Sequence, residues 1–144
     1  MTNEVRLHVY GRFVADGRPP TASETAAALG IPAEDAEAAY RALEADRVIV
    51  LAPGTFDIWM ANPLSAVPTA FRAETPRGSF WGNCVWDGLG VISMLGGEGT
   101  LVTSCPDCGE AMAFEISGFE LERAEGVVHF AVPARRWWQN IAFT

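Results

Sequence analysis

Apolar positions recur at helical spacing along the first third of the chain. In "EVRLHVYGRFVA", residues 4–15, Val5, Leu7, Val9, Tyr10, Phe13 and Val14 predict an amphipathic helix, a strand being the weaker fit. "DGRPP" reads as a turn, after which Thr21 or Ser23 can cap a helix over "SETAAALG" that ends at Gly30. "IPAEDAEAAYRALEADR" opens with Pro32 near its first turn and sets Ala36, Ala39, Tyr40 and Leu43 on one face, predicting a third helix. The period then shortens: "VIVLAPGTFDIWMA" reads as strand, turn and strand, a β-hairpin. Three helices followed by a hairpin is a winged-helix-like arrangement, assigned to residues 1–61.

Residues 62–144 have a different texture. "NPLSAVPTAF" is spaced by prolines, shows no period, and reads as a linker. "AFRAE" and "FWGN" are short strands around the turn "TPRGS". "VWDGLGVISML" predicts a helix despite its glycines, with Val85, Leu89, Ile92 and Leu95 on its buried face, and "GGEG" ends it. "TLVTS" and "EAMAFEIS" are strands joined by "CPDCG", "GVVHFAV" a further strand, and "PARRWWQNIAFT" a short helical or extended aromatic segment. The predicted class is α+β: the winged-helix-like part, then a mostly antiparallel sheet with one central helix.

Composition narrows the possible partners. The chain has 144 residues, of which 49% are hydrophobic and 19% charged, values of a globular protein. No apolar run approaches the ~20 residues of a membrane span, and "MTNEVRLHVYGRF" lacks the layout of a signal peptide, so a cytoplasmic location is expected. The net charge of −8 opposes binding through phosphates. The third helix sharpens that point: it carries Glu34, Asp35, Glu37, Glu44 and Asp46 against Arg41 and Arg47, so it is expected to pack and not to enter a DNA groove.

Three cysteines are too few for a disulfide framework and read as ligands or nucleophiles. Cys84 falls at a strand-to-helix junction, and Asp87 lies one turn on, so both can face the same way. A helix start lowers a thiol pKa, whereas a neighbouring carboxylate raises it, and one member of the pair should hold a proton. Cys84 is therefore expected to be the most reactive thiol. A cysteine protease would need a histidine base, and His8 and His129 belong to other elements. The bland alternative is a buried cysteine beside a capping aspartate.

Cys105 and Cys108 flank Pro106 and Asp107 at a turn that can point two sulfurs at one centre. A structural zinc site usually takes four ligands. The turn is thus a soft-metal clip completed by Cys84 or a partner chain, a redox dithiol, or simply structural. Trp81, Trp86, Trp137 and Trp138 are expected in the core and pocket walls, and His129 as a satisfied sheet residue.

The stretches "NPLSAVPTAFR", "FWGNCVWDGLGV" and "SCPDCGEAMAFEIS" resemble the organomercurial (alkylmercury) lyase family, and "GRPPTASETAAALG" resembles its winged-helix-like N-terminal part. The most specific match is Cys-x-x-Asp in its aromatic, glycine-rich setting. The resemblance implies that residues 62–144 form the catalytic, metal-binding part. Cys84 would be the nucleophile that takes mercury, and Asp87 the shuttle that protonates the departing carbon. Cys105 would match a structural cysteine. The implied partner is a small organometallic or thiophilic substrate. No cofactor is required; mercury is substrate and product, and zinc or copper are other soft ions that Cys84, Cys105 and Cys108 could bind.

The family also uses a second mercury-binding cysteine late in the chain. One alignment puts it near "EGVVHF", where residues 125–127 are Glu, Gly and Val; the preferred one puts it after "WWQNIAF", where the sequence ends at Thr144. Neither supplies a cysteine. A shortened relative, a second thiolate from Cys105 or Cys108, and loss of the reaction are the three readings. The competing functions are a non-catalytic soft-metal binder and a winged-helix sensor of a thiophilic ligand. The sequence leaves the oligomeric state open.

Overall fold

The structure is a computed structural model that describes residues 1–123 and 126–141. It is α+β. Helices α1 (Thr2–Asp16), α2 (Ala22–Leu29) and α3 (Ala33–Ala45) precede strands β1 (Ile49–Leu51) and β2 (Ile58–Ala61). On α1 the buried stripe is Val5, Val9 and Phe13, each four residues on from the last. Leu7, expected on that face, lies two residues from Val5, which turns it to the far side, where it is 66% exposed. Thr21 is the cap of α2: its hydroxyl accepts from the Glu24 N–H while Glu24 accepts from the Thr21 N–H, a complete capping box. Tyr40 of α3 is fully buried, and its hydroxyl is satisfied by the Pro20 carbonyl at 3.0 Å and by Thr25 at 2.8 Å.

The remaining strands are β3 (Leu64–Ser65), β4 (Arg72–Thr75), β5 (Gly78–Gly82), β6 (Gly99–Ser104), β7 (Ala111–Ser117) and β8 (Glu120–Leu121). They form one sheet in the order β1-β2-β3-β5-β4-β6-β7-β8, and neighbours run antiparallel. The segment expected to be a linker supplies β3, which joins the hairpin to the rest of the sheet. Leu64 and Ser65 are buried there, and β3 pairs with β2 on one side and β5 on the other. Two residues are too short to show a period, so proline spacing dominated the reading.

The helix predicted from "VWDGLGVISML" is α4 (Val85–Met94), which packs on β3, β4, β5 and β6. Its core face is Gly88, Val91 and Ile92, with Val85, Leu89 and Leu95 packed at the margin. Two glycines let it lie this low. A Cβ on Gly82 would stand 2.7 Å from the Gly88 Cα, and one on Gly88 would stand 2.5 Å from Leu101 Cδ1. The tight contact of β5 with the first turn of α4 fixes where the residues between them point.

Residues 126–132, expected as a strand, are irregular, and a 3₁₀ helix (Ala134–Gln139) follows. The Val132 carbonyl is taken by the Trp137 indole N–H at 2.6 Å and not by a strand, and Val127 is 94% exposed. The segment does not join the sheet. Among the described residues, no helix is long and apolar enough to cross a membrane.

Candidate functional site

A cavity of about 650 Å³ opens where α4 starts. Asn83, Cys84 and Asp87 line it at the helix end, Met60 and Asn62 border it on the β2 side, and the C-terminal segment closes it with His129, Phe130, Trp137 and Trp138. That wall holds together internally. The rings of Phe130 and Trp137 lie 5.0 Å apart, and the Arg47 guanidinium sits 5.5 Å from the centre of the Trp138 ring. Trp86 lines the cavity yet is 68% exposed, so it is a rim residue and not core. His129 was expected as a satisfied sheet residue; it is exposed, outside any strand, and on the cavity wall.

Cys84 is the N-cap of α4. Its backbone is extended, and its Sγ accepts from the Asp87 N–H at 3.4 Å. The cysteine, and not the aspartate, therefore caps the helix. Burial pushes the thiol above its ordinary value and the Asp87 carboxylate adds to this, while the N–H groups of Asp87 and Trp86 pull the other way. Burial also raises the Asp87 carboxyl, against hydrogen bonds from Asn83 and Cys84. The sequence set the helix end against the neighbouring carboxylate; in the structure burial outweighs both and raises the thiol.

Cys105 behaves in the opposite way. The N–H groups of Cys108 and Asp107, together with the Cys108 thiol, hydrogen-bond its sulfur and hold its thiol below the ordinary value. The two shifts thus run in opposite directions, up at Cys84 and down at Cys105. Neither Cys105 nor Cys108 lines the cavity. Among the described residues, no three His, Cys, Asp or Glu side chains group to hold a metal ion, so the two do not join Cys84 as one ligand set. Of the positions considered for a second mercury-binding cysteine, residue 125 and Thr144 lie outside the described residues, whereas Gly126 and Val127 are described and neither is a cysteine.

Sequence reasoning missed Asn83. Its Nδ2 donates to Pro63 O at 3.3 Å and to Asn62 Oδ1 at 3.4 Å, and its Oδ1 is buried without a partner among the described residues. Adjacency to Cys84 was the available signal, and nothing in the spacing singled it out.

A family described as alkylmercury lyase matches residues 64–144, a span holding β3, the α4 cavity edge and all three cysteines. The fold is similar to a crystal structure of the mercury-bound form of MerB2, with a TM-score of 0.65 and 19% identity over 83% of this chain and 59% of that one. The chain therefore spans less than two-thirds of that relative, and the likeness is one of fold. No curated protein matches the chain.

Proposed function

The chain belongs to the alkylmercury lyase family, and from that premise we propose that it cleaves a carbon–mercury bond, with Cys84 as nucleophile and Asp87 as proton shuttle. The observation that carries this reading is the pairing of Cys84 with Asp87 at one edge of an aromatic cavity, the Asp87 N–H donating to the Cys84 sulfur at 3.4 Å.

The thiol is raised by burial, so it holds its proton at neutral pH and needs a base when it attacks. Asp87 supplies one within reach. As the sulfur–mercury bond forms, the thiol proton passes to the Asp87 carboxylate. As the carbon–mercury bond breaks, the same proton goes to carbon and the hydrocarbon leaves. The balance is Cys–SH plus R–Hg⁺ giving Cys–S–Hg⁺ plus R–H, with Asp87 returned to carboxylate and no redox change. No resident cofactor enters this scheme. Phe130, Trp137 and Trp138 offer an apolar wall to the organic group.

We also take residues 1–61 as a winged-helix-like packing subdomain, because the acidic α3 is unsuited to phosphates. A cytoplasmic location suits a thiol-based reaction, since thiols stay reduced there.

A second reading follows from the cavity holding one thiol: the protein binds a thiophilic species through Cys84 and does not turn it over. Incubation with an arylmercurial and gas chromatography of the released arene separates the two. Release that needs Cys84 supports the lyase, whereas tight binding without release supports the binder.

A further inference from the structure

The β6–β7 turn carries chemistry that the cavity does not use. The turn is closed by two backbone hydrogen bonds, Cys105 N–H to Glu110 O at 2.8 Å and Gly109 N–H to Cys105 O at 2.9 Å. It extends the ladder beyond its last pair, Ser104 with Ala111, so the strands hold both ends. Gly109 takes φ 75°, the left-handed conformation that lets the chain turn back after Cys108. Within this frame Cys105 and Cys108 stand three residues apart on one closed turn, and the Cys108 side chain with the N–H groups of Asp107 and Cys108 holds the Cys105 thiol below its ordinary value. The backbone therefore sets both cysteines on one small loop before any ligand arrives. Both cysteines are free, Cys108 is exposed and Cys105 half-exposed.

The donor set decides the ligand. Two sulfurs leave a tetrahedral zinc site half empty, and among the described residues no third His, Cys, Asp or Glu joins them. Soft thiolates suit thiophilic d¹⁰ cations, and those that accept two collinear ligands are completed by two sulfurs alone. We propose that the Cys105–Cys108 turn is a second binding site, separate from the Cys84 cavity, for a two-coordinate thiophilic cation of the class of mercuric or cuprous ion. Binding forms two sulfur–metal bonds and releases the thiol protons. The site does not depend on carbon–mercury cleavage, so failure of that reaction leaves it standing.

The test uses mercuric chloride as probe and excess glutathione as competitor, on the Cys84→Ser chain, in which only the turn thiols remain. One mercury per chain is expected to survive the competition. Adding Cys108→Ser should weaken retention by about 10²–10⁴-fold, because the second thiolate binds intramolecularly. Cys105→Ser should do the same, with unchanged circular dichroism showing that both variants fold. X-ray absorption should find two sulfur neighbours per mercury in a monomeric chain. Equal retention with and without Cys108, one mercury shared between two chains, or a Cys105–Cys108 disulfide in protein kept under reductant would each overturn the proposal.

Discussion

Burial raises both the Cys84 thiol and the Asp87 carboxyl, so each member of the proposed reacting pair resists charge. Two predictions follow at this scale. At neutral pH a small alkylating reagent should label Cys105 before Cys84, and Cys84 labelling should climb as the pH rises through its elevated pKa; peptide mass spectrometry with time reads this directly. The acid limb of kcat/KM for hydrocarbon release should lie above the ordinary aspartate range, because protonating Asp87 removes the group that takes the thiol proton. A limb at the ordinary aspartate position would mean that Asp87 is not the base. The pairing itself was legible in Cys-x-x-Asp, since one helical turn brings the two together. The thiol's acidity was not, because it depends on how deeply the helix start is buried, and the aromatic wall around His129 and Trp137 comes from a distant part of the chain.

At the level of elements, the site rests on how closely α4 approaches β5. Gly82→Ala places a Cβ 2.7 Å from the Gly88 Cα, where backbone must shift, so a loss of about 1–3 kcal/mol is expected in denaturant unfolding. Hydrocarbon release should fall with it, since Asn83 and Cys84 follow directly in the chain. Helix α2 offers a separate test. The hydrogen bond from the Arg18 guanidinium, and after it that from the Thr21 N–H, hold Glu24 at about 2 against its ordinary 4.5. A carboxylate held low stabilises the fold above its unfolded value, and this contribution is lost as the pH falls through 4.5 toward 2. Thr21→Ala, which removes the cap, should cost about 1 kcal/mol. Helices α1 to α4 and most strands were legible because their apolar periods run over several turns or alternations. Strand β3 was not, since two residues carry no period. The expected strand over residues 126–132 is an apolar run in which His129, Phe130, Ala131 and Val132 line the cavity while Val127 and Val128 are exposed, and such a run alone cannot tell a cavity wall from a sheet.

The whole molecule is built around a single sheet, with α1 to α3 at one end and the β6–β7 turn toward the other. The cavity forms where three parts of the chain meet: the run from β2 through β3 to Phe71, the start of α4 and the C-terminal segment. The contact of Arg47 with Trp138 ties the last of these to the α3–β1 junction. The sequence pattern foretold the class, the four helices and six of the strands, but not β3, β8 or this convergence, which depends on long-range docking. Net charge of −8 is a property of the whole chain, and it fits a small apolar substrate better than a polyanion. The central claim, cleavage by the Cys84–Asp87 pair, is tested most directly by measuring arene release and mercurial binding together on the parent chain and on Asp87→Asn. The account predicts that the parent releases arene, and that the variant binds the mercurial but releases at least about 10²-fold less. It also predicts that the Cys84 thiol pKa falls in the variant, because a repelling carboxylate is gone. Unchanged release from Asp87→Asn, or no release from the parent, would contradict it.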